Sequence, residues 1–120
     1  MQYMISFYEP ESTFIDRADP VKSPDYWGAW TAYIGAMYQS GIVVSGAGLQ
    51  APHTATTVRI RDGERLVQDG PVIATKEQLG GYFVVDVPHL EDAIAWAARS
   101  PASTIGSVEV RPVLPPMNTN

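Results

Sequence analysis

The chain of 120 residues contains no cysteine and only two histidines. The first absence excludes disulfides, thiolate nucleophiles and cysteine-based zinc sites. The second leaves His53 and His89 far apart, so no histidine cluster is available to a metal. Basic residues are also scarce. Eight Lys+Arg stand against thirteen Asp+Glu, for a net charge of −5. Such a chain lacks the basic face that neutralises phosphates, so a nucleic-acid partner is not expected. An electrostatic membrane anchor is excluded for the same reason. No apolar run approaches the ~18 residues of a spanning helix. Met1-Gln2-Tyr3-Met4 carries no basic charge and meets Glu9 and Glu11 early, so it does not read as a signal peptide. The chain is assigned to the cytoplasm on these grounds, and no cofactor or metal is expected.

The length fits one domain, read as residues 1–113 with a tail at 114–120. Residues 3–8 are aromatic and β-branched and predict a strand ended by Glu9-Pro10. Residues 9–22 show no periodicity and read as a loop. Ser23-Pro24-Asp25 is a helix start, with Ser23 as cap and Pro24 in the first turn. Trp27, Trp30, Ile34, Met37 and Tyr38, with Tyr33 beside them, form one helical stripe. Gly41 stops that helix.

Ile42-Val43-Val44 opens a second strand, interrupted by Gly46 and Gly48. Residues 56–61 and 64–67 flank Asp62-Gly63 and predict a β-hairpin. A loop from Gln68 to Leu79 ends in a short helical turn. Residues 82–87 are the clearest strand. A helix follows at 89–99, presenting Leu90, Ile94 and Ala97 or Ala98 on one face, and a last strand spans 107–111. With the hairpin set aside the order is βαββαβ, a ferredoxin-like α+β arrangement with both helices on one sheet face.

The two long strands are apolar on both faces. Phe83, Val85 and Val87 alternate with Tyr82 and Val84, while Tyr3, Ile5 and Phe7 alternate with Met4 and Tyr8. A sheet with one wet face alternates apolar with polar. Something must cover the second face. A second copy related by a two-fold axis does so most simply, which predicts a homodimer. The alternative is a monomer in which residues 50–79 fold back over the sheet.

The segment Asp69-Gly70-Pro71-Val72-Ile73-Ala74-Thr75-Lys76-Glu77-Gln78-Leu79-Gly80-Gly81-Tyr82-Phe83 resembles the signature of the YCII-related, DGPF-type family. That signature reads roughly Asp-Gly-Pro-Phe-Ala-Glu-Thr-Lys-Glu, then Gln-Leu-Gly-Gly and an aromatic. The hairpin sequence and the stretch from Gly106 to Pro112 carry the likeness to both sides. The resemblance implies a dimeric α/β barrel built from ferredoxin-like halves. DGPF-type proteins are mostly uncharacterised, and some are encoded beside or fused to extracytoplasmic-function sigma factors. A dehydrochlorinase-type enzyme of the wider group has a His–Asp acid/base design. This chain departs from both patterns. No histidine precedes His53, and Val72 and Ala74 stand where the signature has Phe and Glu.

Two functional classes are compatible with these residues. In the first, the barrel cavity binds a small organic ligand, with lyase- or isomerase-type acid/base chemistry as its catalytic form. Asp69 is then the proton-transfer group, His53 an auxiliary and Lys76 an anchor for an anionic substrate. Gly70, Pro71, Gly80 and Gly81 form the pocket loop, and Trp30 either faces the ligand or packs in the core or at the dimer rim. In the second, the chain is a non-catalytic accessory or regulatory dimer acting through protein contacts, with a sigma-factor-linked pathway as its setting. Asp69-Gly70-Pro71 is also good turn chemistry in its own right, and His53 also reads as a solvated loop residue.

Overall fold

The computed structural model describes residues 1–116. In chain order the elements are β1 (Gln2–Pro10), α1 (Glu11–Asp16), α2 (Ser23–Ser40), β2 (Val43–Gly48), β3 (Thr56–Arg61), β4 (Glu64–Asp69), β5 (Glu77–Asp86), α3 (Leu90–Arg99), α4 (Ala102–Ile105) and β6 (Ser107–Pro112). A four-stranded antiparallel sheet has the order β2-β5-β1-β6, and β3-β4 is a separate two-stranded sheet. With the hairpin removed, this is the strand order of a ferredoxin-like α+β fold.

The alternation of the two central strands sets the core. Tyr3, Ile5 and Phe7 of β1 and Phe83, Val85 and Val87 in and just after β5 are buried with Trp30, Tyr33 and Met37 of α2. Ala93, Ala97 and Ala102 complete the cluster from α3 and α4. Phe7, Trp30, Tyr33 and Phe83 meet edge to face, the preferred geometry of aromatic rings. The outward residues Met4, Tyr8, Tyr82 and Val84 are half-buried, and among the described residues the helices that complete the core pack on the other face.

Several local expectations are corrected. Residues 11–16 are helical rather than loop; six residues are too few to show a period, and Phe14 anchors them by burial. Helix α2 starts at Ser23, but its N-cap position is Lys22 and no side chain caps it; Asp19 instead accepts hydrogen bonds from the Val21 and Lys22 N–H groups. The buried stripe of α2 is Trp30, Tyr33 and Met37, with Tyr26 half-buried below it, while Trp27 and Tyr38 are exposed. On α3 the buried face is Ala93 and Ala97, and Leu90 and Ile94 are exposed, because small residues let the helix approach the sheet closely. The helical turn expected before residue 79 is strand instead: Glu77, Gln78 and Leu79 pair with Pro10, Glu9 and Tyr8.

The hairpin forms as expected, with positive φ at both Asp62 (51°) and Gly63 (76°). It does not fold back over the sheet. Val58, Ile60, Leu66 and Val67 are all exposed. The radius of gyration, 16.4 Å, reflects this projection; a packed chain of this length has about 14 Å. Leu114–Pro116 of the expected tail is exposed and outside any strand, and Met117–Asn120 lies outside the described residues.

Candidate functional site

Period-two alternation carries β1 one step beyond its apolar residues, and that step is Glu9. Its carboxylate therefore lies on the core side, in line with Tyr3, Ile5 and Phe7, and is only 2% exposed. No cation pairs with it directly among the described residues. Its partner is Tyr26, in the first turns of α2, whose hydroxyl lies 2.7 Å from Oε1 and 2.8 Å from Oε2. A phenol has one hydrogen to donate, so both oxygens share it.

The strand opposite makes room for the carboxylate. The β1–β5 register shifts between Phe7 and Tyr8, leaving Gly80 as the extra residue of a bulge. A Cβ on Gly80 would stand 2.9 Å from Glu9 Oε1 and 3.4 Å from the Phe14 ring. Any other residue there would compete with Glu9 for space.

Burial holds the Glu9 carboxyl above its ordinary range, against the opposing pull of the Tyr26 hydrogen bond and the Arg17 charge. The Tyr26 phenol is pushed well above its ordinary value by burial first, then by its bond to Glu9 and that group's charge. Arg17, at the end of α1, is itself fixed. Its guanidinium carbon is 5.0 Å from the Phe14 ring centre and 5.1 Å from that of Trp27. It donates to the Leu49 carbonyl, and its own carbonyl accepts from Trp27 Nε1 at 3.0 Å.

These groups border a cavity of about 230 Å³ between α2 and the β2–β5 edge of the sheet. Its wall includes Phe7, Trp27, Trp30, Tyr38 and Phe83, and the backbones of Gly46, Gly48, Gly80 and Gly81. Trp30 is 7% exposed, and its Nε1 is buried. The Trp30 side chain opposes the rise at the Tyr26 phenol, as a hydrogen bond from its N–H to that oxygen does. The arrangement offers a carboxylate that can take up a proton beside aromatic walls.

The residues singled out in the sequence divide between this cavity and other places. Trp30, Gly80 and Gly81 border it. His53, Pro71 and Lys76 line a second, more open cleft of about 570 Å³, with Glu11, Phe14 and Gln78. The signature loop there is tied by its own side chains: Gln78 Nε2 donates to the Ile73 carbonyl at 2.7 Å, and Thr75 Oγ1 to the Glu77 carbonyl at 2.6 Å. Gly70 is a turn residue (φ 96°) whose N–H donates to Ala55 O and whose carbonyl accepts from the buried Thr57. Asp69 is exposed at the end of β4 and borders neither cavity. Sequence reasoning missed Glu9, Tyr26 and Arg17. The signal for Glu9 was there, as a carboxylate in step with the apolar face of β1. Tyr26 is the residue that extends the Trp30, Tyr33, Met37 stripe by one turn. Among the described residues no group of His, Asp and Glu side chains could hold a metal ion.

A family model, the YCII-related domain, matches residues 1–117. An uncharacterised protein of Rhizobium meliloti (strain 1021) is 44% identical over 62 residues. That alignment covers 49% of this chain and 49% of the relative, so the match spans about half of each. The family match, by contrast, runs through β1, the Glu9 cavity, the hairpin and β6, and on its extent the chain belongs to the YCII-related domain family.

Proposed function

We propose that the chain binds a small organic molecule in the cavity between α2 and the sheet and exchanges a proton with it through Glu9. The carrying observation is the buried Glu9 carboxylate, held by Tyr26 alone at the wall of an aromatic cavity. A carboxyl whose proton affinity is raised by burial is suited to acid/base work nearer neutral pH. Lyase or isomerase chemistry, which moves protons without a redox partner, fits this equipment. In this reading the proton-transfer role expected of Asp69 passes to Glu9, since Asp69 borders neither cavity. The cleft of His53, Pro71 and Lys76 is a separate candidate for an anionic ligand, with Lys76 as its cation. A cytoplasmic setting goes with this reading.

The test is amide NMR of labelled protein against a panel of single-ring compounds. Binding is expected to shift the amides of Gly46, Gly48 and Gly81 and to leave the hairpin unmoved. A panel that shifts none of these three, or shifts the signature loop instead, overturns the assignment of the cavity.

The working unit in this proposal is a homodimer. Two sheets pack through Met4, Tyr8, Tyr82 and Val84, the apolar face that the chain's own helices leave open. The accessory reading also has an observation in its favour. Val58, Ile60 and Val67 fall on one side of the β3–β4 hairpin and are each more than half exposed. A two-stranded hairpin is marginal by itself, so a contact with another protein would suit that surface.

A further inference from the structure

We infer that Arg17 anchors a ligand carboxylate at the rim of the α2–sheet cavity, and that the ligands are single-ring monocarboxylates. This rests on the reading of that cavity as a binding site and names what the site would take.

A cation without a counterion is the starting point. Among the described residues the ion pairs join the N-terminal ammonium to Asp86, Lys22 to Asp16 and Arg111 to Glu109, and none includes Arg17. An unpaired arginine is ordinary where water surrounds it. Arg17 is placed otherwise. It is half-buried and lines the cavity, and its charge is felt at both Glu9 and Tyr26. The guanidinium therefore stands at the polar end of the cavity.

Its position is fixed without spending its donors. A guanidinium carries five N–H groups. Among the described residues its side-chain hydrogen bond goes to the Leu49 carbonyl alone. Phe14 and Trp27 hold it through their rings, at 5.0 and 5.1 Å, and such contacts leave N–H groups free. The backbone is tied as well. The Arg17 N–H donates to Thr13 O at 2.9 Å, and its carbonyl accepts from Trp27 Nε1 at 3.0 Å. A side chain ordered before binding loses little freedom on binding. The planar fork then matches the two oxygens of a carboxylate.

Size and charge narrow the ligand. A cavity of about 230 Å³ exceeds the ~150 Å³ that holds benzene, so it suits one ring with a short substituent. Phe7, Trp27 and Phe83 give that ring apolar walls. One guanidinium balances one negative charge, and Glu9 at the same end of the cavity repels a second. The groups around Glu9 are Tyr26 from α2, Arg17 from the end of α1, the Phe14 ring and Gly80 of β5. Of these, Arg17 and Tyr26 bear on its ionisation. An anion on Arg17 takes up the charge that holds the Glu9 carboxyl down, and repels its ionised form directly. Glu9 is thus driven towards its protonated form when the ligand is bound, which is the form that can give a proton.

The test compares phenylacetate, neutral 2-phenylethanol and cationic 2-phenylethylammonium on the full chain at neutral pH. Phenylacetate is expected to bind about tenfold more tightly than the alcohol, the order of one charge-assisted hydrogen bond, and the ammonium most weakly. In wild type, phenylacetate is expected to move the Arg17 Nε–H resonance and the alcohol is not. In Arg17→Gln, which can keep a donor for Leu49 and loses the charge, the preference for phenylacetate is expected to vanish while the alcohol stays within about twofold. Equal binding of acid and alcohol with the Arg17 resonance unmoved overturns the anchor and leaves the cavity reading standing. Equal weakening of both by Arg17→Gln also overturns it, since Arg17 then only holds the rim together. Phenylacetate that shifts the amides around Lys76 instead places the anion site in the second cleft and overturns the inference. Failure of both acid and alcohol to shift the Gly46, Gly48 and Gly81 amides removes the cavity reading and the inference with it.

Discussion

The hydroxyl of Tyr26 sits astride the carboxylate of Glu9, 2.7 Å from one oxygen and 2.8 Å from the other. It brings the first turn of α2 onto the end of β1, and among the described residues it is the one side chain that gives this buried carboxylate a hydrogen bond. Tyr26→Phe keeps the ring and removes the donor. The ionised carboxylate then lacks its partner, which costs about 1–3 kcal/mol. The loss falls on the charged form, so it is expected in full at neutral pH and shrinks as Glu9 protonates. Urea unfolding at pH 4 and pH 7.5 checks this, and a loss of equal size at both values counts against it.

Glu9 should also set a pH dependence of its own. Its folded-state affinity for a proton is raised above the ordinary value of 4.5, burial being the main cause. The folded state therefore binds more protons than the unfolded state between 4.5 and the raised value. The stability tied to this group is fully present below 4.5 and is lost as pH rises through that window. Glu9→Gln abolishes the titration. The stability of the variant relative to wild type is expected to rise from pH 4 towards pH 8, measured by thermal or urea unfolding in steps of half a unit. A difference that is flat with pH, or that falls, contradicts the assignment.

Gly80 and Gly46 should respond differently to alanine. At Gly80 the new Cβ meets Glu9 Oε1 at 2.9 Å, the far end of a side chain that can swing away. Gly80→Ala is therefore expected to change stability by less than about 1 kcal/mol, by shifting the Glu9 carboxylate without breaking its bond to Tyr26, and to weaken any cavity ligand. At Gly46 the new atom would run into the Phe83 ring and stand 2.9 Å from the Tyr82 carbonyl. Gly46→Ala must move a core ring or the backbone, at about 1–3 kcal/mol. Paired melting and NMR of the two variants separates site disruption from core disruption, and equal destabilisation of both would refute the distinction.

The sequence carried most of the architecture because its strongest patterns were long. Tyr3, Ile5 and Phe7 against Met4 and Tyr8 fixed which face of β1 packs, and Asp62-Gly63 located the hairpin turn. The site was less legible. Ending the first strand at Tyr8 broke the alternation one residue before Glu9, since a carboxylate followed by proline resembles a strand end. Reading the α2 stripe through Trp27 and Tyr38 instead of Tyr26 hid the residue that meets Glu9. The signature loop drew attention by its turn chemistry, and much of that chemistry is spent on the loop itself, as Gln78, Thr75 and Thr57 show.

The open face of the sheet leads to the last prediction. Met4, Tyr8, Tyr82 and Val84 lie half-buried on the face away from the core helices of the described residues, and Met4 and Val84 are directly paired across β1 and β5. If a second copy covers this face, wild type should sediment at twice the chain mass of 13.1 kDa, and its unfolding midpoint should rise with protein concentration. Val84→Lys places a charge at the centre of the contact. In a monomer that position is half-exposed and the change costs within about 1 kcal/mol. In a dimer, two copies of the charge would be desolvated against an apolar partner, and association should fail. The expected result is a folded monomer for Val84→Lys with a concentration-independent midpoint. A wild-type chain that already sediments as a monomer at tens of micromolar, with a midpoint that ignores concentration, would show that water covers this face instead.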